Sequence, residues 1–226
     1  MKALAADSIR TPRDLAPLIE HAVLDPGATL ADVKQACADA ARYGFFGVCV
    51  RGEWVAEAAR FVAASGAKVV AVVDFPGGTS STPSRVVEAR GAIACGASEV
   101  DVVLPVHLVK SRDYRHVLED LAEVVGRAHV PVKVILETAR LTRDEKVIAC
   151  ALAKAAGADF VKTSTGFADG GATEEDVQLM RSVVGPEVGV KASGGIRTPA
   201  AALRMVRAGA NRIGTSASVA IVTGSF

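Results

Sequence analysis

The sequence predicts an α/β protein: a TIM (β/α)8 barrel that forms a single domain over residues 1–226, with a short N-terminal helix. Three observations predict this fold. Apolar runs of four to six residues occur eight times, and a longer stretch with helical spacing of Ala, Leu and Val separates each run from the next. The length of 226 residues suits one barrel. No G-x-G-x-x-G motif follows the first run, which argues against an open dinucleotide-binding sheet.

The predicted strands and helices alternate without a break along the chain. The strands are expected near residues 21–24, 46–50, 69–73, 100–104, 132–137, 160–163, 188–192 and 212–214. The helices are expected over residues 30–42, 53–64, 85–94, 114–127, 143–155, 174–183 and 199–208. This order is that of eight consecutive βα units.

Cap residues at the helix ends support these boundaries. Thr29 and Thr198 are good N-caps, and Pro199 at a first helical position gives up no donor that the helix needs. Four glycines follow predicted helices and are expected to be C-caps: Gly44, Gly96, Gly157 and Gly209.

Composition restricts the class of partner. Half of the residues are hydrophobic but only 4% are aromatic, so Val, Ala, Ile and Leu must build the core. Lysine and arginine together number 26 against 25 acidic residues. A nearly neutral chain gives no electrostatic indication of a nucleic acid or a membrane surface, so a small-molecule partner is expected.

The cysteines indicate the compartment. Cys37, Cys49, Cys95 and Cys150 are scattered without a Cys-x-x-Cys pair, and the start of the chain has no secretory pattern. They are expected to be reduced thiols, and the protein is expected in the cytoplasm. No apolar run approaches the roughly 18 residues that cross a bilayer, so no membrane span is expected.

Three charged side chains stand inside apolar strands, near the strand ends where barrels carry catalytic groups: Asp101, Lys162 and Lys191. Burying an unpaired ammonium is costly, so such a lysine needs a partner, loss of its proton or access to water. If Lys162 and Lys191 both face the barrel mouth, each disfavours the charge of the other, and one can stay neutral near pH 7.

A neutral amine can attack an aldehyde to form a carbinolamine and then an iminium, which stabilises the carbanion character of an aldol transition state. Lys162 is the expected covalent residue, and Asp101 would shuttle protons directly or through water. The structural alternative is that both lysines extend past the strand ends and pair with carboxylates such as Glu137 or Asp101. That alternative is favoured for a single strand lysine, whereas the three charges together favour catalysis.

Glycine-rich loops after the seventh and eighth strands predict an anion site. Gly194 and Gly195 precede a helix that Thr198 caps, and Gly214 and Ser216 follow the last strand. Further residues expected to complete the rim are Thr165, Gly166, Gly170 and Gly171. The pair Gly77-Gly78 is interpreted as a tight turn.

Metal chemistry is not expected, because each histidine stands alone without the short ligand spacing of zinc sites. These are His21, His107, His116 and His129, of which His21 lies on the first strand. No cofactor is expected. Arg51 and Trp54 follow the second strand and could rim the pocket, although a helix start is the plainer interpretation.

Six segments of the chain form a recognisable set of motifs. Segment 160–167 has the sequence FVKTSTGF and segment 190–197 has the sequence VKASGGIR. The others are segments 47–50 (GVCV), 74–78 (DFPGG), 99–103 (EVDVV) and 212–216 (RIGTS). In order and spacing these segments resemble the deoxyribose-phosphate aldolase family. The resemblance extends over residues 15–222 and is highly specific for fold.

The resemblance implies a class I aldolase of deoxyribonucleotide catabolism and carbohydrate degradation, which needs no metal. Such a lyase cleaves 2-deoxy-D-ribose 5-phosphate reversibly to acetaldehyde and D-glyceraldehyde 3-phosphate. The resemblance matches Lys162 with the family's Schiff-base lysine and Asp101 with its acid/base aspartate. It matches Lys191 with the lysine that promotes loss of the proton from the Schiff-base lysine. Cys49 matches a cysteine beside the pocket. The positions matched around the phosphate are Gly166, Gly194, Gly195, Arg197, Gly214 and Ser216.

The chain departs from the family pattern near the pocket. Glu20-His21-Ala22 stands where the family usually has Asp-His-Thr, and Asp25 stands where it commonly has lysine. Arg51-Gly52 replaces an asparagine-proline pair, and Ala217 replaces a second serine. The residues that would form the iminium are kept, whereas polar residues that would contact the substrate are changed. There are two alternatives: an aldolase of the same family that acts on a different aldehyde pair, and a non-catalytic barrel that binds a phosphorylated metabolite. Barrels of this kind often form dimers.

Overall fold

A computed structural model describes residues 6–226, which form one closed barrel of eight parallel strands in the order β1 to β8. The strands are β1 (Ile19–Val23), β2 (Gly47–Val50), β3 (Lys68–Val73), β4 (Glu99–Val103), β5 (Val132–Ile135), β6 (Phe160–Lys162), β7 (Gly189–Ser193) and β8 (Arg212–Thr215). The predicted fold is confirmed, and all eight strands lie at the predicted positions to within two residues at every boundary.

Helices surround the barrel. They are α1 (Leu30–Tyr43), α2 (Val55–Val62), α3 (Thr82–Ala94), α4 (Val106–Lys110), α5 (Tyr114–Ala128), α6 (Arg143–Ala155), α7 (Glu174–Val184), α8 (Pro199–Arg207) and α9 (Ser218–Thr223). The sequence did not predict α4 and α9, because five or six residues are too few to show a helical period.

The short N-terminal helix is of the 3-10 type. It spans Pro12–Leu18, begins at Thr11 and has a second proline, Pro17, inside it. A proline there removes a backbone donor, which suits a short 3-10 segment. The helix packs against α9 and leads directly into β1.

The predicted N-caps Thr29 and Thr198 and the C-cap Gly44 are confirmed. The other three predicted C-caps, Gly96, Gly157 and Gly209, each lie one residue beyond the C-cap of their helix and have positive φ. The backbone of Gly44, at the end of α1, is left-handed, with φ 74°. At the other end of α1, the Thr29 side chain accepts from the backbone N–H of Asp32, and the Asp32 carboxylate accepts from the Thr29 N–H at 2.8 Å. Within residues 6–226, no helix is long and apolar enough to cross a membrane.

The buried side chains form two apolar regions. The larger one lies between the strands and the helices and contains most of the buried Val, Leu, Ile and Ala residues. The smaller one lies inside the barrel and contains Leu24, Cys49, Val70 and Val72. Because side chains alternate along a strand, the remaining interior positions come from the other strands, and these are largely charged. The barrel interior is therefore only partly apolar.

Candidate active site

Asp101, Lys162 and Lys191 meet inside the barrel. Lys162 and Lys191 are register partners on β6 and β7, so their side chains lie side by side. Both ammonium groups donate to the same oxygen, Oδ2 of Asp101, at 2.8 Å from Lys162 and 2.6 Å from Lys191. The structure thus brings the three side chains together, as the catalytic hypothesis requires, and their catalytic roles stay a prediction.

Six buried side chains form a closed ring of alternating charge, here named the charge ring. Its members, in order, are Asp101, Lys191, Glu20, Arg212, Glu99 and Lys133, the last of which returns to Asp101. Lys191 contacts Glu20, whose other oxygen lies 3.0 Å from Arg212. Lys133 lies 2.6 Å from Glu99 and 2.9 Å from Asp101. Lys162 joins the ring only through Asp101 among the described ion pairs.

These contacts change the acidity of the ring members. Burial alone would raise the pKa of Asp101, but the ammonium groups of Lys133, Lys162 and Lys191 lower it well below its usual value. Burial alone would lower the pKa of Lys191, but the carboxylates of Asp101 and Glu20 raise it above its usual value. Asp101 is therefore held ionised and Lys191 is held protonated.

Sequence analysis missed three members of the charge ring: Glu99, Lys133 and Arg212. The signal was present, because Lys133 stands between Val132 and Val134, as Lys162 does between Val161 and Thr163. The guanidinium of Arg212 lies 3.3 Å from the centroid of the Phe46 ring, a contact between distant strands that no local pattern reveals. Glu20 was named as a pocket residue, but it lies fully buried beneath the cavity.

A cavity of about 510 Å³ opens above Lys162 and Lys191 at the C-terminal ends of the strands. Its wall includes most of the predicted pocket and phosphate residues: Ala22, Cys49, Thr165, Gly166, Gly194, Gly195, Arg197, Gly214 and Ser216. Asp101 and Glu20 do not line it and lie below the two lysines. The functional side chains thus occupy two levels, a cavity wall and a charged floor.

The loop after β7 contains the two glycines that were predicted to bind an anion. Gly194 and Gly195 both have positive φ, 92° and 75°, a conformation that glycine adopts without strain. The backbone N–H of Ala172 donates to the Gly194 oxygen at 3.0 Å, and a Cβ on Gly171 would lie 2.5 Å from that oxygen. Gly170 and Gly171 were predicted to complete the rim, but neither lines the cavity, and Gly171 instead packs against the backbone of Gly194.

Gly214 makes room for Lys191. A Cβ at Gly214 would lie 2.9 Å from Cε of Lys191 and 3.1 Å from Cβ of Ser193. The resemblance assigned Gly214 to the phosphate, whereas the packing gives it a second task, because its missing side chain is the space through which Lys191 reaches Asp101.

Two predicted pocket residues lie elsewhere. Arg51 does not line the cavity, and its guanidinium instead pairs with Glu53 at 3.2 Å on the surface. Trp54 ends a 3-10 helix, Gly52–Trp54, and packs against the larger apolar region. The helix start was the correct interpretation of this segment.

Glu137 and His21 have structural partners. Glu137 was considered as a partner for the lysines, but its carboxylate accepts from Oγ1 of Thr165 at 2.5 Å and so shapes the loop after β6. Nδ1 of His21 lies 2.7 Å from Oγ of Ser218, which links β1 to α9. Neither residue contacts the charge ring through a described hydrogen bond.

One group of potential metal ligands exists among the described residues: Glu20, Cys49 and Asp101. Both carboxylates already accept from ammonium groups, and burial raises the pKa of the Cys49 thiol to about 11, so the thiolate form is disfavoured. A divalent cation there would be repelled by Lys191. The expectation of chemistry without a metal stays a prediction.

The chain was compared with known proteins. The family model described as DeoC/LacD family aldolase matches residues 14–223. The deoxyribose-phosphate aldolase of Thermococcus gammatolerans is 52% identical over 94% of this chain and 96% of its own length. That of Brevibacillus brevis is 51% identical over 92% and 94% of the respective chains. The solved structure of a deoxyribose phosphate aldolase from Aeropyrum pernix superposes with a TM-score of 0.90 at 33% identity, covering 96% of this chain and 93% of that one. These matches confirm the resemblance, and the chain belongs to the DeoC/LacD family of aldolases.

Proposed function

We propose that this chain is a class I deoxyribose-phosphate aldolase, a lyase that cleaves 2-deoxy-D-ribose 5-phosphate reversibly to acetaldehyde and D-glyceraldehyde 3-phosphate. One observation carries the proposal: the Lys162 amine faces a cavity and shares a single carboxylate oxygen of Asp101 with a second lysine. The names of relatives that are about half identical over nearly the whole chain support the same substrate.

The first step is formation of the Schiff base. The neutral Lys162 amine attacks the C1 carbonyl of the open-chain sugar and gives a carbinolamine. Lys191 is held protonated beside it and donates a proton to the departing hydroxyl, so that water leaves and an iminium forms. Asp101, which is held ionised between the two amines, stabilises the positive charge that then lies on the Lys162 nitrogen.

The second step breaks the C2–C3 bond. A base removes the proton of the C3 hydroxyl, C3 becomes the aldehyde of glyceraldehyde 3-phosphate, and the bonding electrons move into the iminium to give an enamine. Protonation of the enamine at C2 and addition of water at C1 release acetaldehyde and restore the amine. The ionised Asp101 suits the role of proton acceptor through water, and Lys191 suits that of donor.

The phosphate is proposed to bind at the glycine loops after β7 and β8. Backbone N–H groups near Gly194, Gly195 and Gly214 can approach an anion closely, and Arg197 adds a positive charge at the cavity wall. Thr165, Gly166 and Ser216 line the same cavity. The two-carbon end of the sugar would then lie over Lys162, at the opposite end from the phosphate.

Borohydride reduction in the presence of acetaldehyde tests the chemistry. We expect one ethyl group on Lys162, found by peptide mass spectrometry, and none in Lys162→Ala. Lys110→Met is a matched control, because Lys110 pairs with Glu145 on the surface at 2.6 Å. Full turnover in Lys162→Ala, or no adduct in the wild type, would exclude the Schiff-base mechanism.

A related substrate is the second candidate, because Ala22 and the carboxylate-bearing Asp25 line the cavity. A negative charge there weakens attraction for a phosphate. Comparing kcat/KM for 2-deoxyribose 5-phosphate and 2-deoxyribose separates the two candidates, since a working phosphate site discriminates strongly. A non-catalytic barrel would instead show stabilisation by ligand without any adduct.

The remaining assignments follow from chemistry. The partners are proposed to be the phosphorylated sugar and the two aldehydes, with no nucleic acid or membrane. The four cysteines are free, which suits a reducing cytoplasm. A homodimer is also proposed, and analytical ultracentrifugation tests it.

A further inference from the structure

We propose that the charge ring fixes the protonation state of Lys162, and that Lys133 and Glu99 are positioning residues that set the pH at which Lys162 becomes a nucleophile. The inference rests on the proposed Schiff-base function and deepens it. Neither Lys133 nor Glu99 lines the cavity, so neither is proposed to touch substrate.

The ring is balanced in charge. Each cation in it lies within 4.0 Å of at least two ring carboxylates, and each carboxylate lies that close to at least two ring cations. Lys133 lies between Glu99 and Asp101 and is also 3.5 Å from Glu20 across the ring. Three carboxylates therefore oppose three cations. All six side chains are buried, with 8% or less of any residue exposed. Buried charges in this number are tolerated only when they are paired.

Lys162 is the surplus cation. Its ammonium contacts Oδ2 of Asp101, an oxygen that Lys191 already occupies. With every group ionised, the cluster of seven carries one net positive charge inside the barrel. Loss of a proton from Lys191 would remove a cation from two carboxylates, and loss from Lys133 would remove one from all three. Loss from Lys162 leaves the ring intact and the cluster neutral. The geometry thus selects Lys162 as the amine that gives up its proton.

The groups that face Lys162 from every neighbouring strand belong to this count. They are Glu20 on β1, Cys49 on β2, Glu99 and Asp101 on β4, Lys133 on β5, Lys191 on β7 and Arg212 on β8. From β3 the facing residues are Val70 and Val72, which carry no charge. Burial raises the pKa of Cys49 to about 11, so its thiol adds no charge near neutral pH.

The charges of the seven-residue cluster determine the direction in which each substitution shifts the deprotonation of Lys162. Lys133→Met removes one ring cation, so a protonated Lys162 now brings the cluster to neutrality and the amine keeps its proton to higher pH. Glu99→Gln removes one ring anion, so a protonated Lys162 is less favourable and the amine is freed at lower pH. If Lys133 and Glu99 served packing alone, their substitutions would not be expected to shift the deprotonation of Lys162 in opposite directions.

The test is the pH dependence of ethyl-adduct formation on Lys162 with acetaldehyde and borohydride, together with the acid limb of the kcat/KM profile. We expect Lys133→Met to move both midpoints up by at least about one pH unit, so that the rate near neutral pH falls about tenfold and recovers on raising the pH. Glu99→Gln should move them down. Lys133→Arg, which keeps the charge, and Lys110→Met, at the surface, should leave them unchanged.

The outcomes separate this inference from the proposed function. If the wild type forms the adduct but both Lys133→Met and Glu99→Gln keep its midpoint, the inference is overturned while the aldolase function stands. If the wild type forms no adduct on Lys162, both are overturned. Should Lys133→Met fail to fold by circular dichroism, Glu99→Gln decides alone, and an unchanged or raised midpoint overturns the inference.

Discussion

The barrel interior has two sides that differ in kind. From β4 to β8, and across to Glu20 on β1, it is filled by the charge ring and Lys162. On β2 and β3 it is filled by the apolar side chains of Cys49, Val70 and Val72. Both sides are equally buried, and both belong to the same closed sheet.

The difference shows how a barrel can hold reactive charge. The apolar side excludes water and so strengthens every electrostatic interaction on the charged side. It also offers no competing nucleophile, since burial keeps the Cys49 thiol neutral. The charged side then determines which amine reacts. Changes on the charged side should therefore alter chemistry and its pH dependence. Changes at Val70 and Val72, the apolar residues that do not line the cavity, should alter stability alone.

The largest effect is expected for Asp101→Asn on the charged side. Among the described ion pairs, Asp101 is the carboxylate that contacts three ammonium groups, whereas Glu20 contacts two ammonium groups and the Arg212 guanidinium. The substitution removes the proton acceptor, which lowers kcat by about 10²- to 10⁴-fold. It also removes the carboxylate that Lys162 pairs with and one of the partners of Lys133 and Lys191, which lowers the free energy of unfolding by about 3–5 kcal/mol. Steady-state kinetics and denaturant unfolding measure the two losses.

A matched carboxylate outside the ring provides the control. Asp176 is also buried and accepts from Lys146 at 2.5 Å, but it lies at the start of α7, outside the barrel. Asp176→Asn should reduce stability while kcat stays near the wild-type value. Equal kcat values for Asp101→Asn and the wild type would show that the charged side is only structural.

A smaller effect is expected for Gly214→Ala at the junction of floor and cavity. The added methyl would lie 2.9 Å from Cε of Lys191, so the lysine must leave its position in the wild type. Misplacing a catalytic group by about 1 Å can lower kcat on the order of 10²-fold. Gly91→Ala in α3 is the control, because a Cβ there meets no neighbouring atom, and it should leave kcat unchanged. A Gly214→Ala enzyme with normal kcat would show that Lys191 need not hold this position.

The two sides also differ in what the sequence reveals. The apolar strands and their order could be predicted because hydrophobic runs and glycine caps are local signals. Lys162 and Lys191 were found because each is a charge in an apolar strand near the end where barrels carry catalytic groups. Lys133 is also a charge in an apolar strand, but it lies near the start of β5. The pairing of Glu20 with Arg212 joins residues 192 positions apart, and closure of the barrel alone brings them together. Spacing along the chain could not predict the ring.

Val72→Ala on the apolar side should cost stability at every pH. Val72 is buried beside Cys49 and Val70, and removing two methyl groups lowers the free energy of unfolding by about 2 kcal/mol. The stabilisation that the charge ring provides does depend on pH. The lowered pKa values of Asp101 and Glu20 mean that their stabilisation is present above their ordinary values of 3.8 and 4.5 and is lost as the pH falls through the folded-state values. Acid should therefore weaken the wild type and Val72→Ala in parallel.

Unfolding measured at neutral pH and again in acid tests this contrast. If the difference in free energy of unfolding between the wild type and Val72→Ala is the same at both pH values, the pH dependence of stability arises on the charged side. The gap between the wild type and Asp101→Asn should instead narrow as the pH falls, because acid removes the wild type's advantage as well. A Val72→Ala gap that changes with pH would mean that the two sides are not independent.

The smallest effect is expected from thiol alkylation. Burial raises the pKa of Cys37 and Cys49 to about 11 and that of Cys150 to about 12, whereas Cys95 is exposed. Iodoacetamide at pH 8 should label Cys95 alone and leave kcat unchanged, as intact-mass and peptide mapping can verify. Rapid labelling of Cys49 in the folded enzyme would show that the apolar side admits water, and the strong interactions on the charged side would then lose the dry environment on which they depend.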